Sequence, residues 1–433
     1  MLLGLDRPGA RHPGLSFVFG ATRLNSDVLS PLVLEGTSKI VLLVLDGLGD
    51  LPNAAEGGRT PLEAARTPNL DRIAPAAALG RILPVAPGVT PGSGPGHLAL
   101  FGYDPLQTMV GRGVLEALGA GVELKHGDVA ARANFCTVDS DGIVTDRRAG
   151  RISSEVCAKL VERLQREIAR IEDVEVILRA GMGHRFVVVL RAPGLGEGVS
   201  DADPHHDGAR IPPAESRAAA GTAADPGAVN SARIVNAFVQ RAREVLKADH
   251  PANAVLLRGL SARPHLRGYA ERFKLRAAAI AAYPMYRGVA QLAGMSVLPV
   301  GDTPAAAFAE ATRRWGDFNF FFIHIKGTDM AGEDGNFKAK VESIEAVDHA
   351  LPALLALAPD VLCVTGDHST PVIVEGHSWH PVPVLIHARW CGADQSPRFH
   401  EKSARAGSLG TFASHDLMAV LLANAGRLDK FGA

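Results

Sequence analysis

The residues of this chain best suited to chemistry are carboxylates and imidazoles at short spacings. Asp329 and Glu333 lie four residues apart in GTDMAGEDG, so one helical turn would place both carboxylates on one side. Asp367 and His368 are adjacent in TGDHST, and His377 follows in EGHSWHPVP. Such oxygen and imidazole ligands suit Mn²⁺, Mg²⁺ or Zn²⁺. Each residue alone also has a structural interpretation, since carboxylates at this spacing often form a solvated helix face and a loop histidine is often only a packing residue.

A single serine, Ser93, lies among glycines and prolines in VTPGSGPGHLALFGYDP. Two interpretations of this stretch remain open. Gly and Pro are the ordinary residues of a tight turn. Alternatively, small neighbours let a bulky, charged group reach the hydroxyl. If GHLALFG begins a helix, its unpaired N–H groups would add an anion-binding end.

Three apolar segments end in these polar residues and are typical of buried parallel strands. They are KIVLLVLDGLGD (39–50), DFNFFFIHIKGTD (317–329) and DVLCVTGDHST (360–370). Helical patterns separate them, including one that begins at Thr303 and Pro304 and another, FKAKVESIEAVDHALPALLAL, that Pro352 is expected to interrupt. Together they predict an α/β fold with a mostly parallel sheet and helices on both faces. Because ligands bind beyond the carboxyl ends of such strands, we expect Asp46 to meet Asp329 and Asp367 there.

The middle of the chain has a different pattern and predicts a second domain. Residues 153–173 have helical apolar spacing, and residues 194–227 form a long segment rich in Gly, Pro and Asp. We therefore expect a smaller α/β domain inserted into the main one. The expected division is an N-terminal extension (1–36), the first part of the main domain (37–110), the inserted domain (111–295) and the second part of the main domain (296–433).

Composition and charge exclude several classes of function. Hydrophobic residues make up 47% of the 433 residues and charged residues 21%, which is typical of a globular protein. The net charge of −1 and the lack of a basic, aromatic-rich stripe argue against a nucleic-acid partner. Four widely spaced cysteines without a CxxC pair predict a reducing, cytoplasmic location. No apolar run approaches the ~18 residues needed to cross a bilayer, so we expect no membrane partner.

With their surroundings, these motifs resemble the cofactor-independent phosphoglycerate mutases of the archaeal type, which belong to the alkaline phosphatase superfamily. The resemblance runs from about residue 38 to the end and includes RTPLEAARTPNLDRIA, GRGVLEALGAGVEL and DRRAGRI. It implies an alkaline-phosphatase-like main domain. It also implies an isomerase that interconverts 3-phosphoglycerate and 2-phosphoglycerate through a phosphoserine, with two divalent metal ions and without 2,3-bisphosphoglycerate.

The resemblance also implies roles for individual residues. Ser93 matches the nucleophile, whose oxygen contacts one metal ion. The matching ligands are Asp46, Asp367 and His368 for that ion and Asp329, Glu333 and His377 for the other. The family usually has His at position 333, and the harder, charged Glu333 leads us to expect Mn²⁺, with Mg²⁺, Co²⁺ and Zn²⁺ as alternatives. Gly-Pro-Gly at 94–96 also departs from the family's Asp-Thr-small pattern.

Cationic side chains of the inserted domain are expected to hold the dephosphorylated glycerate, because guanidinium groups bind carboxylates and phosphates bidentately. The run DRRAGR crowds three arginines into one short segment. The candidates are Arg132, Arg147, Arg148, Arg151, Arg258 and Arg287, with His184, Arg185 and His205 behind them. A solvated surface charge is the alternative for each arginine.

Two other functions remain open at this point. A metal-dependent phosphatase or phosphonate hydrolase of the same superfamily would share the metal ligands and differ in the inserted domain. A non-catalytic protein that binds phosphorylated metabolites is favoured only by Glu333 and the altered residues 94–96. Retention of every other metal ligand argues against this last function.

Overall fold

The computed structural model describes residues 26–108, 110–218, 223–264 and 266–432. The strands are β1 (Ile40–Leu45), β2 (Ala77–Leu83), β3 (Val129–Val138), β4 (Val144–Asp146), β5 (Arg170–Ile171), β6 (Val174–Ala180), β7 (Arg185–Arg191), β8 (Ala254–Ala262), β9 (Ala277–Ala281), β10 (Ser296–Leu298), β11 (Phe320–Ile325), β12 (Val361–Thr365), β13 (Val382–Ala388) and β14 (Gly410–Ala413). The helices are α1 (Ser26–Leu29), α2 (Pro61–Ala64), α3 (Pro68–Ile73), α4 (Ser93–Leu100), α5 (Arg112–Gly119), α6 (Ser154–Glu167), α7 (Pro226–Leu246), α8 (Tyr269–Phe273), α9 (Pro284–Leu292), α10 (Pro304–Arg313), α11 (Gly327–Glu333), α12 (Phe337–Leu355), α13 (Glu401–Ala406) and α14 (Leu417–Asn424).

A large sheet of eight strands forms the main domain, in the order β10-β9-β11-β1-β12-β13-β2-β14. Its centre, β11-β1-β12, is parallel, and β13 runs antiparallel to both of its neighbours. Every residue of the three central strands is buried, which explains why their sequences are continuous apolar runs rather than alternating patterns. The predicted mostly parallel α/β fold is confirmed.

Two helices of this domain show where local sequence signals hold and where they fail. Thr303 caps α10 as expected, since its side chain accepts a hydrogen bond from the N–H of Ala306. The expected interruption at Pro352 is wrong, because α12 continues through it to Leu355. Proline has no N–H for the carbonyl of Asp348, one turn earlier. That carbonyl instead accepts a hydrogen bond from the side-chain amide of Asn69 at 2.9 Å, so the helix passes the proline.

The second sheet has the order β4-β3-β7-β6-β5, with β8 also paired to β3, and all its pairings are antiparallel. A separate cluster of buried apolar residues lies between this sheet and helices α6 and α7. The helical pattern expected over 153–173 ends at Glu167, because residues 170–171 pair with β6 as a strand. The inserted region is therefore a mixed domain built on an antiparallel sheet.

The boundary expected at residue 295 is corrected by the sheet pairing. Strand β9 pairs in parallel with β11 of the large sheet. Tyr269 and Phe273 of α8 are buried in the core of the main domain. The chain therefore returns to the main domain between residues 262 and 269. The short run AAAIA of β9 has no periodicity that distinguishes it from a strand of the inserted domain.

Part of the expected N-terminal extension packs on the main domain. Leu29 and Val33 are buried in the main core. The N–H of Leu34 bonds to the carbonyl of Arg427, and the N–H of Asp429 bonds to the carbonyl of Leu32. Residues 1–25 lie outside the described residues. Of the helices in the described part of the chain, none combines the length and apolar character needed to cross a bilayer.

Candidate active site

The ends of three neighbouring parallel strands bring the predicted metal ligands together. Asp46 follows β1, and its N–H bonds to the carbonyl of Ile325 at the end of β11, at 2.9 Å. Asp367 and His368 follow β12 on the other side of β1, and Asp329 lies in the first turn of α11, directly after β11. All four of these side chains are buried. The convergence expected from the strand pattern is therefore present.

Asp46, Asp367 and His368 form the first ligand group. His368 Nε2 lies 3.4 Å from Asp46 Oδ1 and 3.1 Å from Asp367 Oδ2. Both carboxylate oxygens are buried, and neither has a hydrogen-bond partner among the described residues. Ligand atoms about 2.1 Å from a tetrahedral ion lie about 3.4 Å from one another, so this spacing and these unpaired oxygens fit a divalent metal ion.

The second predicted ligand group is Asp329, Glu333 and His377. Asp329 and His377 lie close enough to share an ion with His368, whereas Glu333 is not part of that cluster. His377 Nε2 lies 3.6 Å from Asp329 Oδ1 and 3.7 Å from Glu333 Oε1. The other ring nitrogen of His377, Nδ1, donates to the carbonyl of Pro91 at 3.0 Å, so Nε2 carries the lone pair. The Glu333 side chain is 52% exposed, whereas Asp329 is buried. This group therefore also suits a cation and is open to solvent on one side.

Ser93 begins helix α4, next to the first ligand group. Its Oγ lies 3.3 Å from His368 Nε2. The first N–H groups of a helix have no intrahelical partners, so the start of α4 directs hydrogen-bond donors toward the space beside this hydroxyl. Of the two interpretations of the Gly-Pro-rich stretch, the tight turn is wrong, because residues 93–100 are helical.

The glycines after Ser93 have separate structural reasons. A Cβ atom on Gly96 would lie 2.7 Å from the backbone carbonyl oxygen of Asp367, closer than packed atoms tolerate. A Cβ atom on Gly94 would lie 2.7 Å from Cδ1 of Leu115, which is the end of a flexible side chain. Gly96 therefore allows α4 to pack directly on the backbone that carries Asp367.

Lys326 is a site residue that the sequence analysis did not single out. Its Nζ donates to Asp46 Oδ2 at 3.2 Å, to Asp329 Oδ2 at 2.5 Å and to the Tyr286 hydroxyl at 2.9 Å. Burial alone would lower the pKa of Lys326, but the two carboxylates outweigh it and raise the pKa above its usual range. The available sequence signal was a lysine placed directly after the buried strand FFFIHI.

Two buried histidines behind the first ligand group were also missed. His324 Nε2 donates to Asp46 Oδ2 at 2.9 Å. His97 Nδ1 donates to the carbonyl of Ser93 at 2.9 Å and lies 3.1 Å from Asp367 Oδ2. Burial would raise the pKa of Asp46, but the His324 hydrogen bond and nearby cationic groups hold that pKa well below its usual range. A histidine inside an apolar strand was the signal for His324.

Three of the predicted substrate-binding cations already have carboxylate partners. The Arg147 guanidinium makes two hydrogen bonds to the buried Asp203 carboxylate, at 3.1 and 2.8 Å. Arg258 Nε lies 3.4 Å from the same carboxylate. Arg132 is buried with Nη1 at 3.5 Å from Glu116 Oε1, and burial lowers its pKa to about 10.

The remaining cations lie in several parts of the structure. Arg148 and Arg151 line an open cleft of about 550 Å³ with Asp146 and His206. Burial and the positive charges of Arg185, Arg132 and Arg148 lower the pKa of His184. His205 pairs with Asp201 at 3.2 Å. Arg287 is exposed and lies on α9, a helix that packs in the main domain rather than in the inserted domain.

Comparisons with known proteins identify the family. The family model described as 2,3-bisphosphoglycerate-independent phosphoglycerate mutase matches residues 74–253. A probable 2,3-bisphosphoglycerate-independent phosphoglycerate mutase from Thermus thermophilus is 51% identical over 409 residues, which is 94% of this chain and 99% of the relative. A protein with the same description from Thermotoga maritima is 49% identical over 407 residues, with 94% and 99% covered.

Solved structures give the same result. A protein from Pyrococcus horikoshii is 32% identical with a TM-score of 0.75, and the match covers 92% of this chain and all (100%) of that protein. A cofactor-independent phosphoglycerate mutase from Thermoplasma acidophilum is 30% identical with a TM-score of 0.74, and the match covers 90% of this chain and 100% of that one. Given these matches along nearly the whole chain, it belongs to the 2,3-bisphosphoglycerate-independent phosphoglycerate mutase family.

Proposed function

We propose that this chain interconverts 3-phosphoglycerate and 2-phosphoglycerate through a phosphoserine at Ser93. The observation that carries the proposal is the position of the Ser93 hydroxyl. It lies at the start of α4, 3.3 Å from His368 Nε2 and beside Asp46 and Asp367, each of which has one buried oxygen without a hydrogen bond. Family membership supports the same reaction, and the carboxylate-rich ligand set supports Mn²⁺ as the expected metal.

The charge of the site requires cations before a phosphate can enter. Asp46, Asp329 and Asp367 lie close together, and Lys326 is the ammonium group between the first two. The first and second ligand groups would each hold one divalent ion. Bound ions would neutralise the phosphate and lower the energy of the serine alkoxide. A dianionic phosphate ester would otherwise be repelled by these carboxylates.

The reaction is a transfer to Ser93 and back. A bond forms between Ser93 Oγ and phosphorus as the bond from phosphorus to the substrate oxygen breaks, and the proton lost by Ser93 balances the proton gained by the departing glycerate oxygen. The N–H groups at the start of α4 would hold the anionic oxygens of the phosphoryl group. The Lys326 ammonium, which donates to Asp46, Asp329 and Tyr286, would hold the two carboxylates in place. The other hydroxyl of the retained glycerate then attacks the phosphoserine, and Ser93 regains its proton.

Retention of the glycerate separates a mutase from a phosphatase. Arg132, Arg148 and Arg185, whose positive charges act on His184, would bind the glycerate carboxylate and the incoming phosphate together with that histidine. Arg147 and Arg258 would instead orient the segment that carries Asp203. Arg151, which lines the cleft, His205 and Arg287 of α9 remain candidate contacts.

Substitution of Ser93 tests the proposal. We expect Ser93→Ala to lower 2-phosphoglycerate formation by more than about 10³-fold, because it removes the only proposed phosphoryl acceptor. The assay follows 2-phosphoglycerate and free phosphate together, with Mn²⁺ and purified protein. Ser296→Ala, on the edge strand β10, is the matched control. Activity of Ser93→Ala within about tenfold of wild type would exclude the phosphoserine, and wild-type release of free phosphate without 2-phosphoglycerate would favour a phosphatase.

Substitution of Glu333 tests the metal assignment. Glu333 Oε1 is 3.7 Å from His377 Nε2, so we propose that it is a ligand and favours Mn²⁺ or Mg²⁺. We expect Glu333→His to shift the preference toward Co²⁺ or Zn²⁺, as measured by metal titrations of wild type, Glu333→His and Glu333→Ala. If Glu333→Ala binds two metal ions as tightly as wild type, Glu333 is not a ligand.

A further inference from the structure

The side chain of Thr370 lies between the two ligand groups and touches one residue of each. Its Oγ1 is 2.6 Å from Asp329 Oδ1, in the second group. The same oxygen is 3.0 Å from His368 Nδ1, in the first group. Thr370 is fully buried, so no water competes for this hydroxyl at the protein surface. One hydroxyl therefore joins two residues that are assigned to different metal ions.

The donors and acceptors around Thr370 fix where the protons lie. A carboxylate such as Asp329, held by the Lys326 ammonium, only accepts hydrogen bonds, so the single hydroxyl proton of Thr370 points to it. The Thr370 oxygen must then accept from His368, which requires a proton on His368 Nδ1. The lone pair of His368 consequently lies on Nε2, the nitrogen that faces Asp46, Asp367 and Ser93.

The surrounding backbone holds the hydroxyl in one place. The N–H of Thr370 bonds to the carbonyl of Gly49 at 3.0 Å, and its carbonyl accepts a hydrogen bond from the buried Lys340 ammonium at 2.8 Å. A Cβ atom on Gly47 would lie 2.4 Å from Thr370 Oγ1, and one on Gly332 would lie 2.3 Å from the Thr370 carbonyl oxygen. The absence of side chains at these two glycines therefore leaves room for Thr370.

From these contacts we infer that Thr370 is a positioning residue that couples the two metal sites, orienting His368 for one ion and Asp329 for the other. The inference rests on the two-metal centre of the proposed function, and it assigns Thr370 no contact with substrate. Groups that orient a metal ligand change metal affinity about 10- to 100-fold when removed. Because one hydroxyl serves both ligands, its removal must weaken both sites together.

Calorimetric titration with Mn²⁺ tests the coupling. We expect Thr370→Val, which has nearly the same shape but no hydroxyl, to weaken Mn²⁺ binding at both sites by about 10- to 100-fold. Thr370→Ser keeps the hydroxyl and is expected to restore the affinity. The matched control is Thr365→Val on β12, since Thr365 is equally buried but its hydroxyl donates to the carbonyl of Pro383 at 2.9 Å. This control is expected to lose stability and keep both affinities.

The outcomes separate this role from general packing. Wild-type affinity in Thr370→Val, loss at a single site, or equal loss in Thr365→Val would overturn the inference. Histidine ¹⁵N spectra of the metal-free wild type give a test that depends on no valine variant, because His368 must carry its proton on Nδ1, with the signal assigned through His368→Gln. An Nδ1 without a proton would also overturn it. These measurements do not involve turnover, so failure of this inference can be distinguished from failure of the mutase assay.

Discussion

Replacement of Gly96 by alanine perturbs the packing of α4 on the backbone of Asp367. The added Cβ would lie 2.7 Å from the Asp367 carbonyl oxygen. An ordinary contact is about 3.4 Å, so the helix and this backbone must separate by about 0.7 Å. Gly96 has no positive φ, and alanine gains about 0.5–1 kcal/mol of helix stability, which offsets part of the overpacking cost of about 1–3 kcal/mol.

The larger distance between α4 and the Asp367 backbone would also move Ser93 away from His368, because Ser93 is on α4 and His368 follows Asp367. A misplacement of 1 Å can cost about 10²-fold in rate, so we expect Gly96→Ala to lower kcat by about 10- to 100-fold while the free energy of unfolding changes by less than about 3 kcal/mol. The distance between Ser93 Oγ and His368 Nε2, now 3.3 Å, is the one that would lengthen.

Gly94→Ala is the matched control for this prediction. It adds the same methyl group in the same helical turn, but the contact is with Leu115 Cδ1, which can rotate away. Both variants would be assayed for conversion of 3-phosphoglycerate coupled to an enolase, with unfolding followed by denaturant titration. If Gly96→Ala is as active as Gly94→Ala, the close approach of α4 to Asp367 does not position the nucleophile, and the reasoning is refuted.

Two further predictions concern buried charge. Burial raises the pKa of Glu401 to about 7, so the folded protein is more stable when this carboxyl group is neutral. The free energy of unfolding therefore falls as the pH rises from the unfolded pKa of Glu401 toward 7. Glu401→Gln should therefore gain about 2 kcal/mol relative to wild type between pH 5 and pH 8 in denaturant titrations, and a difference that does not change with pH would contradict this. Arg147→Gln should lower stability by about 1–3 kcal/mol because it leaves the buried Asp203 short of two hydrogen bonds. Arg148→Gln, at the exposed cleft, should raise KM for phosphoglycerate and leave stability unchanged. If Arg147→Gln raises KM and Arg148→Gln lowers stability instead, the roles assigned to these two arginines are wrong.

Much of the main domain was predictable because its signals are local. Three apolar runs of strand length, each ending in acidic residues, identified β1, β11 and β12 and the edge where their ligands meet. The capping residue Thr303 fixed the start of α10 in the same way. The return of the chain at β9 was not predictable, since the run AAAIA has neither alternation nor a characteristic end.

The continuation of α12 past Pro352 depended on a partner far away in the chain. Local rules predict a break at an internal proline because a carbonyl loses its donor. Here Asn69 supplies that donor to the carbonyl of Asp348, across a separation of 279 residues. The same applies to α6, which ends at Glu167 because Arg170 and Ile171 find strand partners in β6.

The sequence by itself determined which residue types lie at the ends of the strands, and its resemblance to a known family supplied the two candidate ligand groups and the candidate nucleophile. Only the tertiary structure decided which cations are already paired, placing Arg147 and Arg258 on Asp203 and Lys326 between Asp46 and Asp329. It also decided that Gly96 meets a backbone carbonyl and that Thr370 joins the two ligand groups. The physical reason is that hydrophobic periodicity acts over a few residues, whereas hydrogen bonds and ion pairs depend on directions and distances that are set only when distant segments pack together.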